Sequence, residues 1–232
     1  MTLERTRIVA VALDLLDRTG LDGLTMRKLA DALGIQAPSL YWHFQGKPAL
    51  LDDMADALLN DVALANGPAE DFRVVLHQSA DELRRAFLSR RDGARVFAGT
   101  FVIRHNMMRL ADTVIGALVS AGFDSATAVR ANGSLLHYVL GFTIEEQALL
   151  VRQADNAPPA AIARRFAAHM ADGYPNLMAA LPDFLDTDQD ARFAFGLDLL
   201  IRGLGEQAAE APAPERGVAR FIELMQQAAT KR

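Results

Sequence analysis

Cysteine is absent from the 232 residues, so neither a disulfide nor a thiolate metal site is available, and a reducing compartment suits the chain. No basic-then-apolar leader opens the sequence, and no apolar run approaches the roughly 20 residues of a membrane helix, which points to the cytoplasm. Net positive charge is missing too: 24 Lys and Arg stand against 29 Asp and Glu, a formal charge of -5. Its distribution matters more than its total. Residues 1–47 hold six basic side chains (Arg5, Arg7, Arg18, Arg27, Lys28, Lys47) against five acidic ones, which makes that segment +1 and the remainder -6. A mildly basic head on an acidic body is compatible with a head that meets phosphate, without demanding it. Catalytic signatures are also lacking. There is no Gly-x-Ser-x-Gly elbow, no His-Glu-x-x-His, no phosphate loop and no dinucleotide fingerprint, and no two histidines stand at His-x-x-x-His spacing. The expectation is therefore a chain with no catalytic residues, no metal and no cofactor: not an enzyme.

What is present is helical. Apolar residues make up 51% and charged residues 23%, the proportions of a globular chain long enough for one large domain or two unequal ones. Apolar positions recur at helical spacing and no strand-like alternation is found, so an all-α fold is predicted. Ile8, Ala12, Leu15 and Leu16 share one face of a first helix, with Gly20 as its left-handed stop. Thr25 suits the cap of a second, with Leu29, Ala30 and Leu33 inward, and Gly34 closes it. Pro38 fits the first turn of a third, running through Leu40, Tyr41 and Trp42 to Gly46. Pro48 opens a fourth, with Leu50, Leu51, Met54 and Leu58 inward. The Asn66-Gly67-Pro68 cluster then breaks the chain, which divides a head, residues 1–60, from a body, residues 61–232. The body's long helical patterns are punctuated at Gly122, at Asn156-Ala157-Pro158-Pro159 and at Leu181-Pro182. Ala211-Pro212-Ala213-Pro214 is a linker. Beyond it Val218, Phe221, Ile222 and Met225 form an amphipathic helix, expected to dock on the body or on a partner subunit because so short a helix is marginal alone.

The second and third helices, joined by Gly34-Ile35-Gln36, have the spacing of a helix-turn-helix whose second helix enters the major groove. Ser39 is suited to a base edge or a phosphate; Tyr41, His43 and Lys47 are suited to phosphate oxygens; Arg27 is suited to a phosphate or a guanine. The same residues also describe a small helical core in which Tyr41 and Trp42 are packing residues, and spacing alone does not separate the two.

The residues themselves are more specific. Leu24-Thr25-Met26-Arg27-Lys28-Leu29-Ala30, Leu33-Gly34-Ile35, Pro38-Ser39-Leu40-Tyr41-Trp42-His43-Phe44, Lys47 and Leu50-Leu51 resemble the DNA-binding head of the TetR family over residues 6–60. The Leu-Tyr-Trp-His run is most similar to its tetracycline-repressor branch. The resemblance implies that Arg27, Pro38, Ser39, Tyr41, Trp42, His43 and Lys47 sit where the family contacts double-stranded operator DNA. That branch has a base-reading glutamine before the proline. Here the position is Ala37, with Gln36 one earlier, so a different operator is expected.

The body resembles the same branch over residues 76–207, in Arg84-Arg85-Ala86-Phe87-Leu88, Arg91-Asp92-Gly93-Ala94-Arg95-Val96, Gly99-Thr100, Leu140-Gly141 with Glu145-Glu146-Gln147, and Gly196-Leu197 with Leu200-Ile201-Arg202-Gly203. This implies a homodimer on a palindromic operator, joined through a four-helix bundle, with one small-molecule effector pocket per subunit. Phe193, Leu197, Leu200, Ile201 and Leu204 form one apolar stripe, and Leu136, Val139, Leu140 and Thr143 another. Such stripes suit a bundle or the core of a monomer equally.

In that branch a histidine following Arg-Asp-Gly-Ala binds the magnesium of a drug–metal complex. The matching residue is Phe97, which cannot coordinate it. The drug-gripping asparagine aligns with Ser79. The glutamine aligns with Val114, given a one-residue insertion after Thr100. A further contact histidine aligns near Ala63. The implied ligand-binding set is Ser79, Leu83, Phe97, Thr100, Val114, His137 and Glu145, with Thr100, His137 and Glu145 as polar anchors in a wall suited to a largely apolar or aromatic ligand. His105, Met107 and Met108 fit the pocket entrance, or else a solvated histidine and two core methionines. His77 and His169 read as surface residues, Arg91-Asp92 as a structural pair, and Glu145-Glu146 alternatively as a solvated helix face. The function this implies is a repressor released from DNA by a small molecule. Left open beside it are a ligand-responsive activator, an all-α enzyme, and a helical interaction module with no DNA role.

Overall fold

The computed structural model describes residues 4–64, 71–100, 103–154, 161, 164, 166, 168 and 173–210. The linker and final amphipathic helix expected within 211–232, the breaks at 66–68 and 156–159, and His169 lie outside them. Every regular element among the described residues is a helix. In chain order these are α1 (Arg5–Gly23), α2 (Met26–Leu33), α3 (Ala37–Tyr41), α4 (Lys47–Leu58), α5 (Phe72–Leu88), α6 (Gly93–Ala98), α7 (His105–Ser120), α8 (Ser125–Ala154), α9 (Pro175–Ala179), α10 (Leu181–Phe184) and α11 (Gln189–Glu210). No helix among the described residues is long and apolar enough to cross a membrane.

The head is built as its punctuation predicts. Gly20 takes φ 69° and ψ 172°, which ends the regular part of α1 in a conformation open to glycine and strained for other residues. Ile8, Ala12, Leu15 and Leu16 all face inward. Thr25 caps α2 by accepting from the Lys28 N–H at 3.2 Å, and Gly34, at φ 67° and ψ 32°, turns the chain into α3. One expectation fails. The third helix stops at Tyr41 instead of running to Gly46. His43 and Phe44 N–H groups both fold back onto the Leu40 carbonyl, at 3.0 and 2.9 Å, and this tightening swings Phe44 into the core beside Leu40. The chain gains a buried aromatic there, and Trp42 is left outside.

In the body, α5, α7 and α8 pack on one another, with α6 wedged among α4, α5 and α8, and α11 lying against α8 and α5. Asp124 caps α8, accepting from the N–H groups of Ala126 and Thr127 at 2.9 and 3.0 Å. The two apolar stripes resolve in favour of the chain's own core. Phe193, Leu197 and Ile201 on α11, with Val139 and Thr143 on α8, are buried within the single chain, and Leu136, Leu140, Leu200 and Leu204 are half-buried. The outward large apolar residues are others: Phe195 and Leu199 on α11, 68% and 56% exposed, and Val129, Leu149 and Leu150 on α8. A groove of about 520 Å³ runs between these helices, lined by Ala131 and Ser134 on one side and Leu199, Leu200, Gly203 and Leu204 on the other.

The turn from α5 into α6 is the tightest place in the fold. A Cβ on Gly93 would stand 2.3 Å from the Phe87 carbonyl oxygen, which is backbone and cannot step aside. Gly93→Ala is expected to cost at least about 1–3 kcal/mol, the usual range for overpacking. For a chain of this size that lowers the melting temperature by roughly 2–4 °C per kcal/mol, checked by thermal denaturation.

Candidate functional site

The α2–turn–α3 unit presents one outward surface. Leu29, Ala30, Leu40 and Phe44 anchor it from within, so the residues between them are forced out. Tyr41 is 56% exposed and Trp42 90%. The reading of these two as packing residues is therefore overturned, since Leu40 and Phe44 fill that role. Arg27 and Pro38 are also exposed, and Ala37, Ser39, His43 and Lys47 are half-buried along the same edge. A tryptophan left almost wholly in water forgoes about 2 kcal/mol or more of burial, so adjacent exposed aromatics beside cations mark a surface made for a partner. Lys47 has a second duty that the sequence did not reveal. Its Nζ donates to the Leu21 carbonyl at 2.9 Å, satisfying an acceptor at the end of α1.

The ligand set divides into two groups. Ser79 and Leu83 on α5, Phe97 on α6 and Val114 on α7 are all buried, and the three apolar ones belong to the chain's continuous core. Phe97 packs its ring 5.1 Å from that of Phe87. Ser79 is 1% exposed, and its Oγ has no hydrogen-bond partner among the described residues. Thr100 is half-buried and donates to the Phe97 carbonyl at 2.7 Å. His137 and Glu145, by contrast, lie on the exposed side of α8 in the single chain. The buried carboxylate is Glu146, which receives both Nε and Nη2 of Arg84, at 2.9 and 2.6 Å. This hydrogen bonding, against the desolvation of burial, drives the Arg84 guanidinium well above its ordinary pKa. Arg84 also reaches Asp190 at 2.7 Å and covers the Phe193 ring. Magnesium does not fit this core. It needs oxygen donors, whereas Phe97 and Val114 offer carbon, and Ser79 offers one neutral hydroxyl.

The other candidates fall as follows. His105 and Met108 are exposed and Met107 is half-buried, so the pair of core methionines is not found. His77 is half-buried, with Nε2 3.3 Å from Asp198. Ala63 is buried and gives its N–H to Glu82 at 2.7 Å.

Among the described residues, head and body meet through the packing of α6 on α4 and through two sets of polar contacts, neither set visible in the sequence. At the first, α7 grips the end of α4. The Asn106 amide donates to Asp56 and Asn60, and Arg109 donates to the carbonyls of Leu59, Asn60 and Val62 at 2.8–3.1 Å. Arg5 and Arg104 both bond to Asp53. Although partial burial opposes it, the two guanidiniums hold the Asp53 carboxyl below the usual carboxylate range. At the second, the α5–α6 turn grips α1. Arg90 pairs with Asp17 and Asp14 at 2.7 and 3.1 Å, and Asp92 accepts from the Leu21 N–H at 2.8 Å. Asp92 pairs with Arg95, not with Arg91 as its neighbour in sequence suggested.

A helix-turn-helix with an aromatic tip, carried on a helical body with its own buried core, defines a class: two-part DNA-binding regulators. Residues 8–54 match the family model of bacterial regulatory proteins, tetR family, and residues 65–208 match that of the tetracyclin repressor-like C-terminal domain. The chain is 41% identical over 204 residues to the tetracycline repressor protein class G of Vibrio anguillarum, covering 87% of this chain and 93% of that one. A possible TetR-family transcriptional regulator from Streptomyces coelicolor A3(2) has the same fold at a TM-score of 0.78 and 42% identity, over 88% of this chain and 99% of its own. A variant of TetR from Acinetobacter baumannii AYE, in complex with minocycline, matches at a TM-score of 0.67 and 37% identity, over 89% and 99%. The chain therefore belongs to the TetR family of ligand-responsive DNA-binding repressors.

Proposed function

We propose that two copies of this chain repress transcription from a palindromic operator and leave it when a largely apolar or aromatic effector binds. The head, residues 1–60, meets DNA; the body, residues 61–232, pairs the copies and takes the effector. The observation that carries the DNA assignment is the exposed Tyr41–Trp42 tip, held outward by the burial of Leu40 and Phe44. Two heads on a two-fold axis reach successive major grooves, which multiplies the affinity of a small contact. On this reading Tyr41, Trp42, His43 and Lys47 hold the backbone, Arg27 meets a phosphate or guanine, and Ala37, Pro38 and Ser39 face the bases. The effector assignment draws on the buried Ser79 hydroxyl and on the burial of the apolar Leu83, Phe97 and Val114. A buried hydroxyl without a partner costs about 1–3 kcal/mol, which a single polar atom on an otherwise apolar ligand offsets. His137 and Glu145, facing outward on α8, would serve a ligand only where a second subunit closes over them.

Selection from a random duplex library, followed by titration of the winning sequence, tests the DNA assignment. Trp42→Ala and Tyr41→Ala should keep the wild-type melting curve and lose at least about tenfold in affinity, the scale of a lost phosphate or groove contact. Arg27→Ala should lower the salt slope by about one, and Ala37→Gln should change which base is preferred. A Trp42→Ala protein that binds the selected operator as the wild type does would sink the assignment. Binding without salt dependence would point to a protein-interaction module.

A further inference from the structure

Three consecutive residues of α8 point to three environments, as the 100° rotation per residue requires. Glu145 faces outward, Glu146 faces the core and Arg84, and Gln147 faces the α5–α6 turn. Gln147 uses every polar atom it has there. Its Nε2 donates to the carbonyls of Phe87 and Arg90, at 3.0 and 2.9 Å, and its Oε1 accepts from the Ala94 N–H at 3.2 Å. Those three backbone groups span the end of α5, the turn and the start of α6. The turn so held is the one that grips α1. Besides the Arg90 and Asp92 contacts, the Arg91 N–H donates to Asp17 Oδ1 at 2.9 Å, and Arg95 reaches Asp22 at 3.3 Å. Asp92 itself stands at φ 57°, a left-handed conformation uncommon outside glycine, and Gly93 beside it has no room for a side chain. Such a conformation persists where its surroundings over-determine it, and Gln147 is the side chain that reaches both ends of the turn.

We propose that Gln147 is a positioning residue for operator binding: by clamping the α5–α6 turn, it sets the pose of α1, and with it the spacing of the two heads. The inference rests on the repressor reading above. It makes the head answer directly to α8, the helix whose outer face lies beside the proposed subunit contact. It also reaches α4, because α6 packs on that helix while α7 holds its far end.

The test compares Gln147→Leu, which keeps the size and removes all three hydrogen bonds, with Asp17→Ala, which removes the Arg90 and Arg91 contacts of the same turn with α1, and with the double variant. If Gln147 acts through the turn on α1, each single change lowers operator affinity about tenfold, and the double variant loses no more than either alone. Groups that act as one unit do not add. Gln147→Glu, which keeps the acceptor and loses both donors, should not rescue. Because the chain has no cysteine, Asp31→Cys on the exposed face of α2 gives a single spin-label site per head. Without DNA, the head-to-head distance distribution should broaden in the Gln147→Leu dimer. Two results would overturn the proposal: a lower melting temperature with unchanged operator affinity and head spacing, or losses in the double variant that multiply to about a hundredfold. Failure here is distinguishable from failure of the repressor reading, since the wild type and Trp42→Ala already decide whether the head binds DNA.

Discussion

Leu199→Asp is expected to turn the dimer into monomers and to cut operator affinity by two to four orders of magnitude while the chain stays folded. α11 is apolar on several sides of its middle, where Phe193, Phe195, Leu197, Leu199, Leu200 and Ile201 surround the single charge of Asp198. A helix of that kind is covered on more than one side. The chain itself covers the side of Phe193, Leu197 and Ile201. Phe195 and Leu199 stay in water beside the groove between α8 and α11, and a second copy is the cover that the DNA geometry requires. An unpaired carboxylate buried in such a contact costs several kcal/mol, more than a modest interface withstands. Losing the second head removes the gain of linking two binding events, on the order of 10²–10⁴. Leu197→Asp is the contrast: it drives a charge into the subunit's own core and should unfold the chain. Sedimentation velocity at micromolar concentration, with operator titration, separates the two variants. A Leu199→Asp protein that still sediments as a dimer would place the contact elsewhere.

Tetracycline with magnesium should fail to release this protein from its operator at sub-micromolar concentration, although a relative at 41% identity bears the drug's name. A ligand is chosen by a few side chains, so identity over the whole chain does not carry ligand choice with it. Phe97 stands where the resemblance expects the metal's histidine, and it is buried against Phe87, so its replacement is not a surface accident. Drug oxygens set against Ser79 and Val114 with poor or no partners lose about 1–3 kcal/mol each, and loss of the metal bond adds to that. Phe97→His alone should not restore the response, because the imidazole would enter an apolar ring pair and the other two polar partners would still be missing. Titrating the drug into the operator complex, with and without a chelator, decides the matter. Release at sub-micromolar drug that the chelator abolishes would overturn this account of the core. An apolar aromatic compound that releases the operator should lose potency on Ser79→Ala, by about tenfold for one neutral hydrogen bond.

The sequence by itself determined the elements that depend on neighbours in the chain. Gly20, Thr25, Gly34 and Pro38 act within one turn of themselves, through backbone conformation and capping, and the end of the regular part of α1, both ends of α2 and the start of α3 follow from them, whereas the end of α3 does not. The aromatic and basic run through Trp42 and Lys47 is likewise specific enough to mark the family. Which way a side chain faces was decided only by tertiary structure. Tyr41 and Trp42 read equally well as core until Leu40 and Phe44 were seen to occupy it. On α11 the periodicity admits both the Phe193–Leu197–Ile201 stripe and the Phe195–Leu199 stripe as the subunit contact, because apolar side chains on several sides of a helix carry no sign of which neighbour each meets. Glu145, Glu146 and Gln147 differ by one or two positions, yet one faces solvent, one a buried arginine and one the turn that holds the head. Those partners are contributed by residues between 53 and 62 positions away, and local propensity carries no record of distances across the fold.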